Sequence, residues 1–247
     1  MNKAWINHYC RKLGFEIHGT GYIQSVKKSS FKDDAFEKQK ELVRNTSPVI
    51  FDIGANRGDV SQKYIDLFPS ATIYAFEPFQ EVYKVLKDRF QSNMSIHCYN
   101  KGISDTIEQR EFYVNKNADT NSILKPKKTG LSSDKQVENQ RIIQIESETL
   151  DHFSNEIKLD QIDILKMDIQ GGELSALYGA KNLLKKGAIR CIYSEVYFIE
   201  QYESQPLFHE ISKFLYEYGF VLQDIYTPIY GKGNIAWGDA VFVLKDI

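Results

Sequence analysis

From residue 49 onward, short apolar runs alternate with helical spacings. The first run, Val49-Ile50-Phe51-Asp52-Ile53, is nearly continuous and is broken by Gly54. Such a run suits a strand covered on both faces, as in a parallel sheet. Residues 61–68 then read as a helix stopped at Pro69, and residues 71–76 as a second strand ended by Glu77-Pro78. Residues 80–90 read as a second helix, with Val82, Val85, Leu86 and Phe90 at helical spacing. Residues 95–99 start a third strand. Strand, helix, strand, helix, strand predicts a doubly wound α/β sheet.

The second half continues the alternation. Residues 111–114 and 141–145 are expected to be extended. Residues 115–140 between them, rich in Asn, Ser, Lys and Asp, read as an excursion loop too polar to pack. Residues 163–167 form a further buried strand ending at Asp168, followed by a helix over 173–186 that Gly187 stops. A strand over 189–196 and a helix over 207–218, capped by Gly219, come next. Residues 220–226 and 240–244 close the chain as two strands joined by a Gly-rich connection. Upstream, Ala35, Phe36, Leu42 and Val43 give residues 32–44 a modest helical pattern. Residues 1–47 therefore read as a helical N-terminal extension, and residues 48–247 as the main domain.

Composition narrows the function classes. The 247 residues are 42% hydrophobic and 26% charged, which excludes a disordered tail, a collagen-like repeat and a coiled coil. Lys and Arg (31) nearly balance Asp and Glu (33), for a net charge of −2. Without a basic excess, nucleic acid is not an expected partner. Cys10, Cys98 and Cys191 form no CxxC pair and read as reduced thiols. No apolar run approaches the ~18–20 residues of a membrane span. The first residues lack the apolar block of a signal peptide, so the expected location is the cytoplasm.

The first chemical signal is the turn Asp52-Ile53-Gly54-Ala55-Asn56-Arg57-Gly58, between a predicted strand and a helix. Glycines there allow a tight turn and a close approach of backbone to ligand. Glu77 ends the next strand, nineteen residues beyond Gly58. A carboxylate at that place binds ribose hydroxyls in such folds. The glycine spacing departs from the dinucleotide fingerprint, and Asp52 would repel a pyrophosphate. A cofactor with ribose, adenine and a cationic centre fits better, and S-adenosylmethionine has those parts.

Three stretches in order carry a resemblance: Asp52 to Gly58, Phe76-Glu77-Pro78, and Lys166-Met167-Asp168-Ile169-Gln170-Gly171-Gly172-Glu173. With Glu148-Thr149-Leu150-Asp151 before the third, the chain resembles the FkbM family of methyltransferases over about residues 49–198. The resemblance implies a class I, Rossmann-like methyltransferase fold: a seven-stranded sheet with an antiparallel last strand and helices on both faces. It also implies methyl transfer from S-adenosylmethionine, usually to a hydroxyl of a sugar or polyketide-type acceptor. Gln170 and Gly172 depart from the commoner family pattern of Glu and Ala.

Carried over by position, the resemblance implies that the turn with Gly54, Asn56 and Gly58 holds the methionine part, with Asp52 near its amino group. Glu77 takes the ribose diol, Ser104 and Asp105 flank the adenine, and Phe79 covers it. Asp168 and Glu195 end neighbouring predicted strands and are expected to face one cleft, since ligands gather outside the carboxyl ends of an open sheet. Transfer to oxygen needs the hydroxyl partly deprotonated. Asp168, also facing the cofactor, is the first candidate base or orienting group, Glu195 the second, and His209 a third, although a surface histidine is the plainer reading. Two carboxylates are a thin ligand set for Mg²⁺, so a divalent ion is the less favoured option and no metal ligands are assigned.

The expected partner is a small-molecule or glycan acceptor. Aromatic residues over 193–208 suit either such an acceptor or the core. Lys125-Pro126-Lys127-Lys128 reads as a solvated loop or a contact for a nucleotide-sugar phosphate. Two rivals stay open: an NAD-dependent short-chain-type oxidoreductase, with Tyr83 and Lys87 as its Tyr-x-x-x-Lys, and a catalytically inactive binding subunit of the same fold.

Overall fold

A computed structural model describes residues 34–128 and 139–245. Along the chain come α1 (Ala35–Val43), β1 (Val49–Ile53), α2 (Asp59–Leu67), β2 (Thr72–Phe76), α3 (Gln80–Phe90), β3 (Ile96–Tyr99), β4 (Gly102–Ile103) and β5 (Glu108–Asn115). A 3₁₀ turn at Ala118–Thr120 leads to β6 (Asn139–Glu148), α4 (Leu150–Glu156), β7 (Ile162–Met167), α5 (Glu173–Tyr178) and α6 (Lys181–Lys185). Then follow β8 (Ile189–Tyr197), α7 (Phe208–Glu217), β9 (Phe220–Gly231) and β10 (Asn234–Leu244).

The seven-stranded sheet has the order β3-β2-β1-β7-β8-β10-β9. β1, β2, β3, β7 and β8 pair in parallel, and β10 is antiparallel to both neighbours. This is the sheet that the family resemblance implies. Its handedness of pairing has a local cause. β10 follows β9 through Lys232-Gly233, both at positive φ (52° and 85°), a hairpin turn that reverses the chain. The parallel pairs instead need helical crossovers.

β7 is buried along its whole length, Asp163 and Lys166 included, as expected of a strand covered on both faces. The strand order reverses between β1 and β7, so the chain leaves these two strand ends in opposite directions and opens a crevice between them. A small sheet, β4-β6-β5, walls one side of that crevice.

Several boundaries differ from the sequence reading. The helix expected over 173–186 is two helices, because the Asp151 carboxylate accepts from Asn182 N (2.9 Å) and Leu183 N (3.0 Å) and starts α6 anew. β9 and β10 run to residues 231 and 234, where Gly231, Gly233 and Pro228 had the look of a loop. β3 is an edge strand, so His97 is exposed, its ring stacked on Tyr74. Of the expected N-terminal extension, residues 1–33 and Cys10 lie outside the described residues. Its last helix, α1, is capped by Asp34 (2.8 Å to Phe36 N) and sets the Phe36 ring against Tyr64 and Tyr193. Among the described residues no helix is long and apolar enough to cross a membrane.

Candidate active site

The ends of β1, β2 and β7 open on a cavity of ≈ 280 Å³. Gly54, Asn56 and Arg57 border it from the first turn, Glu77 from the end of β2, and Asp168 and Gln170 from the end of β7. Ile103, Phe112 and Ile145 of the small sheet, with Ile123, make its apolar wall.

Gly54 sets the closeness of the two walls. It sits at φ +75°, and a Cβ there would stand 2.0 Å from the Asp168 carbonyl oxygen. No other residue type fits this turn. Gly54 N and Ala55 N both donate to Phe76 O (3.0 and 2.9 Å), which curls the turn over β2. Gly58 is different. At φ +84° it caps α2, and a Cβ would meet the Phe90 ring at 2.3 Å. Its place is in helix packing against Leu86 and Phe90, and Gly58, expected at the cofactor, does not border the cavity.

Glu77 is 8% exposed and borders the cavity. Its Oε2 accepts from Asn56 N (3.0 Å) and its Oε1 from Phe79 N (2.9 Å). Burial pushes its carboxyl up to about 7, although the two amides pull the other way. Each oxygen is oriented by an amide and keeps a second lone-pair site for a ligand hydroxyl.

Asp52, expected near a cofactor amino group, does not border the cavity. It is fully buried behind the turn, with Oδ1 2.9 Å from Lys166 Nζ and Oδ2 accepting from Ser61 Oγ (2.6 Å). Lys166 also donates to the carbonyls of Gly54 (2.8 Å) and Ile53 (3.3 Å). Burial works against the Lys166 ammonium, but Asp52, Asp168 and Glu77 outweigh it and its pKa is raised. The pair thus braces the turn from beneath.

The residues expected around the adenine are also displaced. Ser104 is buried, donates to Asp105 (3.0 Å), and Asp105 pairs with Arg110 (2.6 Å). Neither borders the cavity; Lys101, Gly102 and Ile103, just before them, do. The Phe79 ring packs with Val82, Phe112, Val114 and Ile145 outside the cavity, and only its backbone amide touches Glu77. Phe112 and Ile103 border the cavity where Phe79 does not.

At the end of β7, Gln170 separates the two candidate carboxylates. Its Nε2 donates to Asp168 Oδ1 (3.0 Å) and Glu195 Oε2 (2.7 Å), and its Oε1 lies within hydrogen-bond distance of Tyr197 Oη (3.0 Å) and Tyr202 Oη (2.9 Å). Asp168 is exposed and borders the cavity; Glu195 does not. Glu195 accepts a second bond from Tyr197 Oη (2.6 Å), and desolvation with Asp168 and Glu173 nearby holds its carboxyl well above the usual range. The expectation that both carboxylates share the cleft therefore fails at Glu195. His209 lies exposed on α7, away from the cavity. Glu173, at the first turn of α5, is buried and accepts from Ile169 N (3.0 Å); burial pushes it up to about 7, and it braces the turn after Asp168. Tyr83 and Lys87 sit on α3 and do not border the cavity.

The family described as Methyltransferase FkbM domain matches residues 52–222, a span that begins at Asp52 and encloses all three motif stretches. The chain belongs to this methyltransferase family. A 2-O-methyltransferase, NoeI of Sinorhizobium fredii, is 26% identical over 208 residues, 82% of this chain and 85% of that protein. A methyltransferase FkbM of Methylobacillus flagellatus has a similar fold, with TM-score 0.52 and 17% identity over 80% of this chain. This chain spans 44% of that structure's length.

In this FkbM-family chain the polar excursion is not an unpacked loop. Ser122 is buried and bonded to Gln170 O (2.7 Å), Tyr202 Oη donates to Thr120 O (2.9 Å), and Ala118, Asp119, Asn121 and Ile123 border the cavity. Lys125 pairs with Glu203 (2.9 Å) and Lys127 with Glu200, which ties the small basic stretch to the chain after β8. Residues 129–138 of the excursion lie outside the described residues. Sequence reasoning passed over Gln170 as a site residue, and over Asp119 and Phe112. A lysine inside an apolar strand was a signal for Lys166 and its buried partner. Asp119, one polar residue in a polar stretch, gave none.

Proposed function

We propose that the protein is an S-adenosylmethionine-dependent O-methyltransferase acting on a hydroxyl of a sugar or glycosylated metabolite. The observation that carries this reading is Glu77: a buried carboxylate at a cavity edge, both oxygens aimed by backbone amides. Its remaining lone pairs suit a vicinal diol. The glycine turn, with no room for a Cβ, supports close approach of a ligand to backbone. The likeness to NoeI, a 2-O-methyltransferase, supports transfer to oxygen.

S-adenosylmethionine supplies an electrophilic methyl group on a sulfonium. Glu77 holds the ribose, and the apolar wall of Ile103, Phe112 and Ile145 suits the faces of the purine. Asp168 polarises the acceptor hydroxyl, whose free pKa lies far above neutrality. Gln170 engages Oδ1 of Asp168, which leaves Oδ2 for the acceptor proton. Glu195, engaged by Gln170 and Tyr197 and off the cavity, does not compete as a base. Positioning of the hydroxyl against the methyl group supplies much of the remaining rate enhancement.

Two outcomes follow. In a panel of mono- and oligosaccharides, glycolipids and RNA, read by mass spectrometry, methylation is expected on sugar hydroxyls, and Asp168→Asn lowers it by about 10²-fold or more. Methylation confined to RNA, or an Asp168→Asn variant with full activity, contradicts the reading. Cofactor affinity should also depend on pH through Glu77. Its carboxyl sits at about 7 in the ligand-free protein, and diol donors favour the ionised form. Binding therefore lowers that pKa and releases a proton. Affinity for S-adenosylhomocysteine is expected to fall about tenfold from pH 8 to pH 6. Glu77→Gln should flatten the dependence; an equally steep profile in that variant would assign it to another group.

A further inference from the structure

Asp168 is exposed just past the end of β7, and an exposed carboxylate left to itself samples several rotamers. Among the described residues, Gln170 Nε2 is the one side-chain donor at hydrogen-bond distance from it (3.0 Å). Gln170 is itself held firmly. Its φ of +55° lies in the left-handed region, which a residue with a Cβ keeps only where its surroundings impose it. Ser122 Oγ donates to its backbone oxygen (2.7 Å). An ionised carboxylate only accepts, so the amide turns its nitrogen to Asp168 and its oxygen to the phenols of Tyr197 and Tyr202. Tyr202 is the fixed point of this chain. It follows β8, is fully buried and does not border the cavity. Its backbone bridges Pro126, and its ring packs edge-on to Tyr197. A buried phenol needs a polar partner, and Tyr202 Oη stands 2.9 Å from both Thr120 O and Gln170 Oε1.

A line of hydrogen bonds thus runs from a buried post to an exposed acid. We infer that Tyr202 and Gln170 are positioning residues that hold Asp168 facing the acceptor hydroxyl. The Tyr202 phenol keeps the Gln170 amide from swinging, and the amide fixes the Asp168 carboxylate. Tyr197 does not replace Tyr202 in this role. Its single hydroxyl hydrogen is also claimed by Glu195 Oε2, at 2.6 Å the nearer acceptor. Orienting Asp168 beforehand removes the entropy of ordering it during the reaction. The inference rests on the O-methyltransferase reading given above, with Asp168 as the group that polarises the acceptor.

The test uses the sugar acceptor that the panel above identifies, with S-adenosylhomocysteine as the binding probe. Tyr202→Phe keeps the buried ring and removes only the hydroxyl. It should lower kcat about 5- to 20-fold, and Gln170→Ala about 10- to 100-fold. In Tyr202→Phe the calorimetric affinity for S-adenosylhomocysteine should stay within about twofold of wild type. The decisive measurement repeats both changes in an Asp168→Asn background. There each should cost less than about twofold, since the group they aim is already lost. Thermal melting shows that each variant is folded. Gln170 is only partly buried, so Gln170→Ala carries the same test independently of the buried phenol. Equal fractional losses with and without the Asp168 carboxylate would mark a merely structural role and overturn the assignment. So would a wild-type kcat in Tyr202→Phe. A fully active Asp168→Asn variant overturns instead the role of Asp168 itself. Failure of the wild type to methylate any sugar in the panel overturns the functional reading, and this assignment with it.

Discussion

Gly54→Ala is expected to abolish measurable binding of S-adenosylhomocysteine and to destabilise the fold by about 2–4 kcal/mol. Two costs combine. An L-residue at φ +75° is strained, and its Cβ would stand 2.0 Å from the Asp168 carbonyl oxygen and 2.9 Å from its carbon. Those atoms are backbone and cannot rotate away. Asp168 N donates to Ile53 O (3.1 Å), and β7 is paired with β1 up to Met167 opposite Ile53. Relief must part the two strand ends and deform the cavity floor. Urea unfolding and calorimetry on the same preparation measure both effects. Wild-type stability together with wild-type affinity would show that the two strand ends are not packed this closely.

Lys166→Met is expected to cost about 3–5 kcal/mol, because it leaves the Asp52 carboxylate buried without a counter-charge. Ser61 Oγ still donates to Asp52, but one hydroxyl does not replace an ammonium at 2.9 Å. The loss is a property of the orphaned charge rather than of the pair. Adding Asp52→Asn to Lys166→Met should therefore recover most of the stability, since the double variant buries no net charge. Denaturant midpoints of the two single variants and the double variant form the cycle. A single-variant cost below about 1 kcal/mol would mean that water or another group reaches Asp52.

The sheet was legible because its strands are covered on both faces. β1, β2, β7 and β8 are mainly apolar, and a glycine or an acidic residue marks where each nears the rim. The hairpin of β9 and β10 was less legible. Its outer half extends past β8, so Ile229 and Tyr230 are exposed and glycines interrupt the alternation that marks a strand. The site divided in the same way. Residues at strand ends, such as Glu77 and Asp168, reach the cavity because the strand places them there. Asp52, one position inside the strand, faces the interior and needed Lys166. Ser104, Asp105 and Phe79 are adjacent in sequence to cavity residues, yet their side chains leave the cavity. Their turns depend on the small sheet, which forms between segments distant in sequence, with Gly102 opposite Ser147. Gln170 acts through contacts to Asp168, Glu195, Tyr197 and Tyr202, and no local pattern encodes such convergence.

The central claim is that the cavity between the Gly54 turn and Glu77 holds S-adenosylmethionine. Calorimetric titration of the wild type and of Glu77→Ala with S-adenosylmethionine and with NAD tests it most directly. The account predicts one S-adenosylmethionine site per chain, a loss of about tenfold or more in Glu77→Ala, and no heat from NAD. Binding of NAD without S-adenosylmethionine, or an unchanged S-adenosylmethionine affinity in Glu77→Ala, would contradict it.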